Sequence, residues 1–131
     1  MATGFMQRWK GKTSAAYSSH LAQNWATSPA ITASATQTRV GGTPLSYLIN
    51  VLGTVAAIGN SVTLKPMQPG DFQVVFNRAA NAAWVWPNSA AVGIDAGAAG
   101  ANCVLSGGNR CIYWCITPTL IVSSLLGAVS A

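Results

Sequence analysis

The chain has 131 residues, a length typical of one domain, and half of them are apolar, so a folded core is expected. Charged residues make up only 7%, with seven lysines and arginines against two aspartates, no glutamate and a net charge of +5. Two carboxylates, one histidine and three cysteines are too few for most acid–base, metal or nucleophilic sites, which argues against an enzyme and against a bound cofactor. A surface with so little charge is better tolerated when partners cover part of it.

Residues 1–28 are interpreted as an N-terminal arm, because they show no sustained helical or strand period. The arm lacks the apolar run of a secretion signal, and the apolar runs at residues 51–58 and 119–131 are too short to span a bilayer, so no membrane contact is expected. Its cluster of Arg8, Trp9, Lys10 and Lys12 could bind nucleic acid, with cations on phosphates and tryptophan on bases. We favour a contact with an acidic protein neighbour, since three charges give nucleic acid only a weak electrostatic footprint.

After residue 29 the composition shifts to β-branched residues and glycine, and short extended runs alternate with turn signals. Strands are predicted at residues 31–38, 45–51, 61–65, 72–77, 82–86, 103–105, 110–116 and 119–126. Residues 66–71, with two prolines and a glycine, predict a strong turn, and residues 90–102 predict a loop of small residues.

Two hairpins are expected, one joining residues 72–77 to 82–86 and one joining residues 103–105 to 110–116. Short strands at roughly ten-residue spacing are typical of an all-β sandwich or barrel. The sequence therefore predicts a single antiparallel β-sandwich or barrel, β-tulip-like in form, over residues 29–131 with the extended arm before it.

The cysteines Cys103, Cys111 and Cys115 leave two interpretations open. In the favoured one they are small buried hydrophobes in a reducing compartment. In the other, Cys103 and Cys111 form a disulfide, since the predicted hairpin places them opposite each other, and Cys115 stays free. A zinc site would need a fourth ligand, and His20 is far away in the sequence, so no metal is expected.

Asp71 and Asp95 adjoin glycines in predicted turns, so they are interpreted as turn residues and not as a catalytic pair. Trp84, Trp86, Trp114 and Tyr113 lie on predicted strands, with Trp84 and Trp86 on one face. We expect these aromatic side chains to fill a core or an intersubunit seam. The alternative is an aromatic row that stacks on sugars or bases.

Residues 49–126 carry a series of motifs in a fixed order: SVTLKP, QPGDFQVVFNRAANAAWVWP, GIDAGAAGANCVL and GGNRCIYWC. This series resembles small β-domains of tailed-bacteriophage virion proteins, especially capsid decoration (cement) proteins and some head-fibre or tail components. Two positions depart from that pattern: Lys65 stands where an apolar residue or proline is expected, and Trp86 where tyrosine or phenylalanine is commoner.

The resemblance implies a non-enzymatic virion protein that binds the outer surface of the capsid as a homotrimer. It would decorate and stabilise the shell by bridging major capsid subunits, while self-association buries apolar faces and the cationic cluster of the arm contacts neighbouring subunits. The alternative hypothesis is a head-fibre, tail or adhesin-type module that recognises host surface glycans through the strand tryptophans. A nucleic-acid-binding protein is a weaker rival.

Overall fold

The computed structural model describes residues 27–128, and every regular element in this range is a β-strand. The described part of the chain contains no helix that is long and apolar enough to cross a membrane. Ten strands follow one another: β1 Thr27–Thr32, β2 Thr43–Pro44, β3 Ile49–Thr54, β4 Ser61–Thr63, β5 Phe72–Asn77, β6 Ala83–Trp86, β7 Gly93–Ile94, β8 Cys103–Leu105, β9 Asn109–Thr117 and β10 Leu120–Ala128.

The strands form two sheets, a first sheet of order β1-β3-β5-β9-β10-β7 and a second sheet of order β2-β4-β6-β8. Within the first sheet β3 pairs in parallel with both β1 and β5, and within the second sheet β4 pairs in parallel with both β2 and β6. Three successive coils of chain therefore stack in the same direction as a β-solenoid. The all-β class is confirmed, but the predicted antiparallel β-sandwich or barrel, and with it the β-tulip-like form, is wrong.

Both predicted hairpins are wrong for the same reason. The strands β5 and β6 lie in different sheets, and so do β8 and β9. Each of these strands pairs with a strand from another coil, as β5 does with β3 and β9. A short polar loop is compatible with a hairpin and with a solenoid corner alike, and contacts with the neighbouring coil decide between them.

The chain reverses direction after the third coil. The strand β8 runs antiparallel to β6, β9 runs antiparallel to β5, and β10 pairs antiparallel with β9. The predicted strand at residues 119–126 is thus confirmed as β10, whereas the predicted loop at residues 90–102 contains β7, which pairs in parallel with β10. These reversed strands cap one end of the solenoid, and β1 and β2 form the edge at the other end.

The core lies between the two sheets and consists mainly of small and medium-sized apolar side chains. Leu52 and Val75 come from the first sheet, Val85 and Leu105 from the second, and all four are at most 2% exposed. Among the described core residues, Tyr113 is the only aromatic one. The space between the sheets therefore holds few large side chains.

Buried amides connect the coils at one corner of the solenoid. Gln73 points inward from β5, and its Oε1 accepts a hydrogen bond from the Lys65 N–H at 2.9 Å. Its Nε2 donates to the carbonyls of Leu45, at 3.1 Å, and Tyr47, at 2.9 Å. Asn50 on β3 also donates to the Tyr47 carbonyl, at 2.7 Å. Because these partners precede β3 and β5, the bonds fix the turns of consecutive coils against each other.

A second pair of amides holds the opposite corner. Asn77 Nδ2 donates to the carbonyls of Asn81, at 2.9 Å, and Leu105, at 3.1 Å, while its Oδ1 accepts from the Ala79 N–H at 3.1 Å. Asn81 in turn donates to the Val55 carbonyl of the preceding coil at 2.9 Å. Buried amides satisfied in this way give the corner one defined geometry.

Candidate interaction surface

The outer face of the first sheet carries large apolar side chains. In β5, Gln73 and Asn77 are completely buried and point to the core, whereas Phe72, Val74 and Phe76 point away from it. A strand with one face in water usually has the reverse arrangement, with apolar side chains inside and polar ones outside. The strand β5 therefore presents its largest side chains outward.

The neighbouring strand β9 also presents large apolar side chains on the outer face, namely Ile112 and Trp114. The register of β5 against β9 places Trp114 beside Phe72 and Ile112 beside Val74. Trp114 is 41% exposed. Cross-strand pairs of this kind pack side by side and make one continuous surface.

The flanking strands extend this surface. The strand β3 adds Ile49 and Val51, which lie next to outward residues of β5, and β10 adds Val122, which lies next to Trp114. We call this surface the apolar face and define it by eight side chains: Ile49, Val51, Phe72, Val74, Phe76, Ile112, Trp114 and Val122.

One cation adjoins the apolar face. The guanidinium carbon of Arg110 lies 5.8 Å from the centre of the Phe76 ring, a cation–π contact. The Nε of Arg110 is buried and has no hydrogen-bond partner among the described residues. The eight side chains that define the apolar face are uncharged, and Arg110 adjoins them, so this surface is nearly neutral and poorly suited to a strongly charged partner.

The outer face of the second sheet carries Trp84 and Trp86. Their rings meet edge to face, with centroids 6.2 Å apart and planes at 70°. Val85 between them is completely buried, so the prediction that the two tryptophans share a face is confirmed. Residues 34–42 cover part of this face, where the Ser61 hydroxyl donates to the Thr36 carbonyl.

The three strand tryptophans do not form one row. Trp114 lies on the outer face of the first sheet, and Trp84 and Trp86 lie on the outer face of the second sheet, on the other side of the core. A sugar or base could therefore not contact all three at once. The residues of the arm that are predicted to contact a partner lie outside the described residues: Arg8, Trp9, Lys10 and Lys12.

The three cysteines are free thiols. Cys103 lies on β8 in the second sheet and Cys111 on β9 in the first, so the two do not face each other across a hairpin. Burial raises the pKa of Cys103, Cys111 and Cys115, and Asp71 or Asp95 raises each further. A raised pKa keeps the sulfur protonated and weakly nucleophilic at neutral pH, which favours the interpretation as small apolar residues.

Tyr113, the aromatic residue that precedes Trp114 on a predicted strand, is a buried titratable group. Its side chain is completely buried, and its hydroxyl has no hydrogen-bond partner within the described range. Burial raises the pKa of Tyr113 well above its ordinary value, and the neighbouring Cys111 and Cys103 thiols raise it further. The phenol therefore stays neutral and packs as a core side chain.

Both carboxylates hold nearby backbone. Asp71 accepts a hydrogen bond from the Gln68 N–H at 3.0 Å, and Asp95 accepts from the Ser123 N–H at 2.7 Å and from the Ser123 hydroxyl. Asp95 adopts a φ of 54°, a conformation that aspartate tolerates better than most residues. Asp71 thus bonds within its own turn, as the turn interpretation predicts, whereas Asp95 bonds strand β10, 28 residues away in the sequence.

A groove of about 420 Å³ lies at one end of the second sheet, between residues 44–46, residues 63–66 and Asn88. Among the described residues that line it, Lys65 is the only one with a titratable side chain. Burial lowers the pKa of Lys65, and nearby Asp71 offsets part of that effect. One lysine among apolar and neutral groups provides neither a paired acid and base nor a nucleophile with its base.

Comparison of the chain with protein-family models, with curated proteins and with solved structures finds no match. Within residues 27–128, no group of three or more histidines, cysteines, aspartates or glutamates could hold a metal ion. The apolar face is therefore the main candidate for function. Its sequence signal was the alternation in FQVVFN and RCIYWCIT, which shows two faces but not which one lies outside.

Proposed function

We propose that this chain is a non-enzymatic structural protein of a phage particle, which decorates the outside of the capsid and stabilises it by bridging major capsid subunits. The observation that carries the proposal is the apolar face on the first sheet. A contiguous outward surface of aromatic and branched side chains is expected in a protein that works through lasting association.

The titratable groups of the described residues support a non-catalytic role. Asp71 accepts a hydrogen bond from the Gln68 N–H and Asp95 from the Ser123 N–H, and burial raises the pKa of each thiol, which disfavours the reactive thiolate. A thiol that acts as a nucleophile needs the opposite shift, a lowered pKa, together with an open approach for substrate. The chemistry of the described residues thus favours a binding role over catalysis.

The amide-locked coils support a bridging role. Gln73 and Asn77 join three backbone groups each, so the corners of the solenoid resist deformation. A stiff body that contacts two capsid subunits holds them at a fixed separation, and many weak contacts over a shell add through multivalency. The cationic arm would supply a second contact, on acidic groups of the capsid.

The capsid role is tested with particles of the phage that encodes the chain, assembled with and without it. Particles without the chain should release DNA at a lower temperature and after milder osmotic shock, and added purified chain should restore the wild-type midpoint. Equal midpoints for both kinds of particle would contradict the stabilising role.

The arm is tested by co-sedimentation of the full chain with intact heads. The variant Arg8→Ala/Lys10→Ala/Lys12→Ala should bind heads weakly. Its matched control, Arg39→Ala/Lys65→Ala/Arg78→Ala, removes the same three charges from the body and should bind as the wild type does. Equal binding by both variants would show that the arm is not a capsid contact.

A further inference from the structure

We infer that the apolar face is the surface through which copies of this chain associate with one another. This inference rests on the proposed structural role and makes it specific, because it names the surface and commits to a second copy of the chain as its occupant. The two copies meet with the outer faces of their first sheets against each other, which makes a two-fold dimer in place of the homotrimer that the resemblance implies.

The direction of the side chains is the first argument. Without a partner, Phe72 and Phe76 are partly exposed and Trp114 is 41% exposed, while the same sheet buries Gln73 and Asn77. In β5 both phenylalanines face outward. In β9 Ile112 and Trp114 face outward, while Tyr113 lies inside between two cysteines. The buried amides of the corners place these apolar side chains on the outer face, where burial against another surface would be favourable.

The size of the face is the second argument. The four strands β3, β5, β9 and β10, spaced at ~4.8 Å, are together about 19 Å wide, and six to nine residues at ~3.3 Å make them about 20–30 Å long. The projected area of this sheet face, polar positions such as Ser124 included, is thus roughly 400–600 Å², comparable in size to the largest apolar patches on monomers. Because the accessible area of an uneven surface exceeds its projection, two such faces approach the ~1,200–2,000 Å² that specific interfaces bury.

The edges of the sheets are the third argument, because they disfavour association by strand addition. Pro29 in β1 and Pro44 in β2 lack the N–H that an added strand would need, and β1 also has an irregular register with β3. At the other end β7 has two residues and β8 has three. The broad face is therefore the better surface for self-association.

The charge of the face favours a copy of the same chain. A nearly neutral apolar surface is complementary to itself, as a two-fold interface requires. Arg110 lies at the Phe76 end of the face, and Trp114 lies at the Phe72 end. A two-fold axis across the strands brings each Arg110 to the aromatic end of the partner and keeps the two cations apart.

The test measures the oligomeric mass of the full chain by sedimentation equilibrium from about 1 µM to about 100 µM. Two variants place a charge on the outer face of the first sheet, Trp114→Glu and Ser124→Glu. Ser124 is already polar and exposed beside Ile112, so its substitution should leave the fold intact. The matched control is Val104→Glu, which places the same charge at a 57% exposed position on the outer face of the second sheet.

The wild type and Val104→Glu should associate, and both first-sheet variants should raise the dissociation constant at least about 10-fold. Far-ultraviolet circular dichroism and the urea midpoint report whether each variant is folded. A wild type that is monomeric throughout the range overturns the inference, and so does a folded Ser124→Glu that associates as the wild type does. Loss of association in Val104→Glu alone would assign the interface to the second sheet and overturn it as well.

These outcomes are separate from those of the capsid experiment. A chain that associates through the apolar face but leaves particle stability unchanged would refute the capsid role and support this inference. A monomeric chain that still protects particles would support the capsid role and refute this inference.

Discussion

The amide of Gln73 is the most direct test of what holds the solenoid together. The substitution Gln73→Met keeps an unbranched side chain of similar size but removes the amide from a position that is completely buried. The Lys65 N–H and the Leu45 carbonyl then lose this partner. The Tyr47 carbonyl keeps the bond from Asn50.

The magnitude follows from the two backbone groups that the substitution leaves unpaired. Each buried donor or acceptor without a partner costs about 1–3 kcal/mol, so two of them cost about 2–6 kcal/mol. Burial of the more apolar methionine offsets about 1 kcal/mol of this. We expect a net loss of about 3 kcal/mol in the free energy of unfolding, a large part of the ~5–15 kcal/mol that stabilises a typical domain.

Urea unfolding at neutral pH measures this loss. The matched control is Gln37→Met, the same change at an exposed glutamine whose amide makes one bond, to the Ile58 carbonyl at 3.2 Å. The control should lie within about 0.5 kcal/mol of the wild type, and the urea dependence should be the same in all three proteins. A loss below about 1 kcal/mol for Gln73→Met would refute the argument that its amide holds the corner.

Three further predictions concern Tyr113, the thiols and one glycine. The raised pKa of Tyr113 contributes stability that is fully present below about pH 10 and is lost as the pH rises further. The substitution Tyr113→Phe should therefore reduce the loss of stability that urea unfolding measures at about pH 11. It should leave the stability at neutral pH unchanged or higher, because the buried hydroxyl has no hydrogen-bond partner among the described residues. The thiols should react slowly with iodoacetamide in the folded protein at neutral pH and faster in urea, because burial raises the pKa of all three; equal rates would contradict this. Gly107→Ala should lower the free energy of unfolding by at least about 2 kcal/mol, because the new Cβ would overlap the Ala80 carbonyl. Gly108→Asn should change the free energy of unfolding by less than about 1 kcal/mol, because its side chain enters open space and asparagine tolerates the φ of 78° at this position.

The sequence predicted where strands lie better than how they pair. The predicted strands at residues 72–77 and 103–105 coincide with β5 and β8, because runs of apolar and β-branched residues between turn signals are a local property. The prediction at residues 45–51 was displaced, since β3 begins at Ile49 and the residues before it form a turn held by Asn50 and Gln73. Such amide contacts join residues that are distant along the chain, so local patterns do not reveal them.

The candidate site could be predicted only in part. The alternation of Phe72, Val74 and Phe76 with Gln73 and Asn77 is visible in the sequence, but the usual rule assigns the phenylalanines to the core. The structure reverses the assignment because the corners of the solenoid need buried amides to pair their backbone groups. Because the amides of Gln73 and Asn77 must face the interior to make these bonds, the phenylalanines that alternate with them face outward.

The edge strands allow a last test of why this chain would form closed assemblies and not fibres. A solenoid ends in unpaired strands, and Pro29 and Pro44 occupy those strands at the open end. The double substitution Pro29→Val/Pro44→Val restores an N–H to each edge and adds β-branched residues, which favours end-to-end pairing of coils. It should make the chain form thioflavin-positive aggregates whose rate rises with concentration, whereas Pro69→Val, in an exposed loop, should leave the chain as soluble as the wild type. Equal solubility of the two variants would mean that the prolines do not block growth, and that another feature of β1 and β2 prevents stacking.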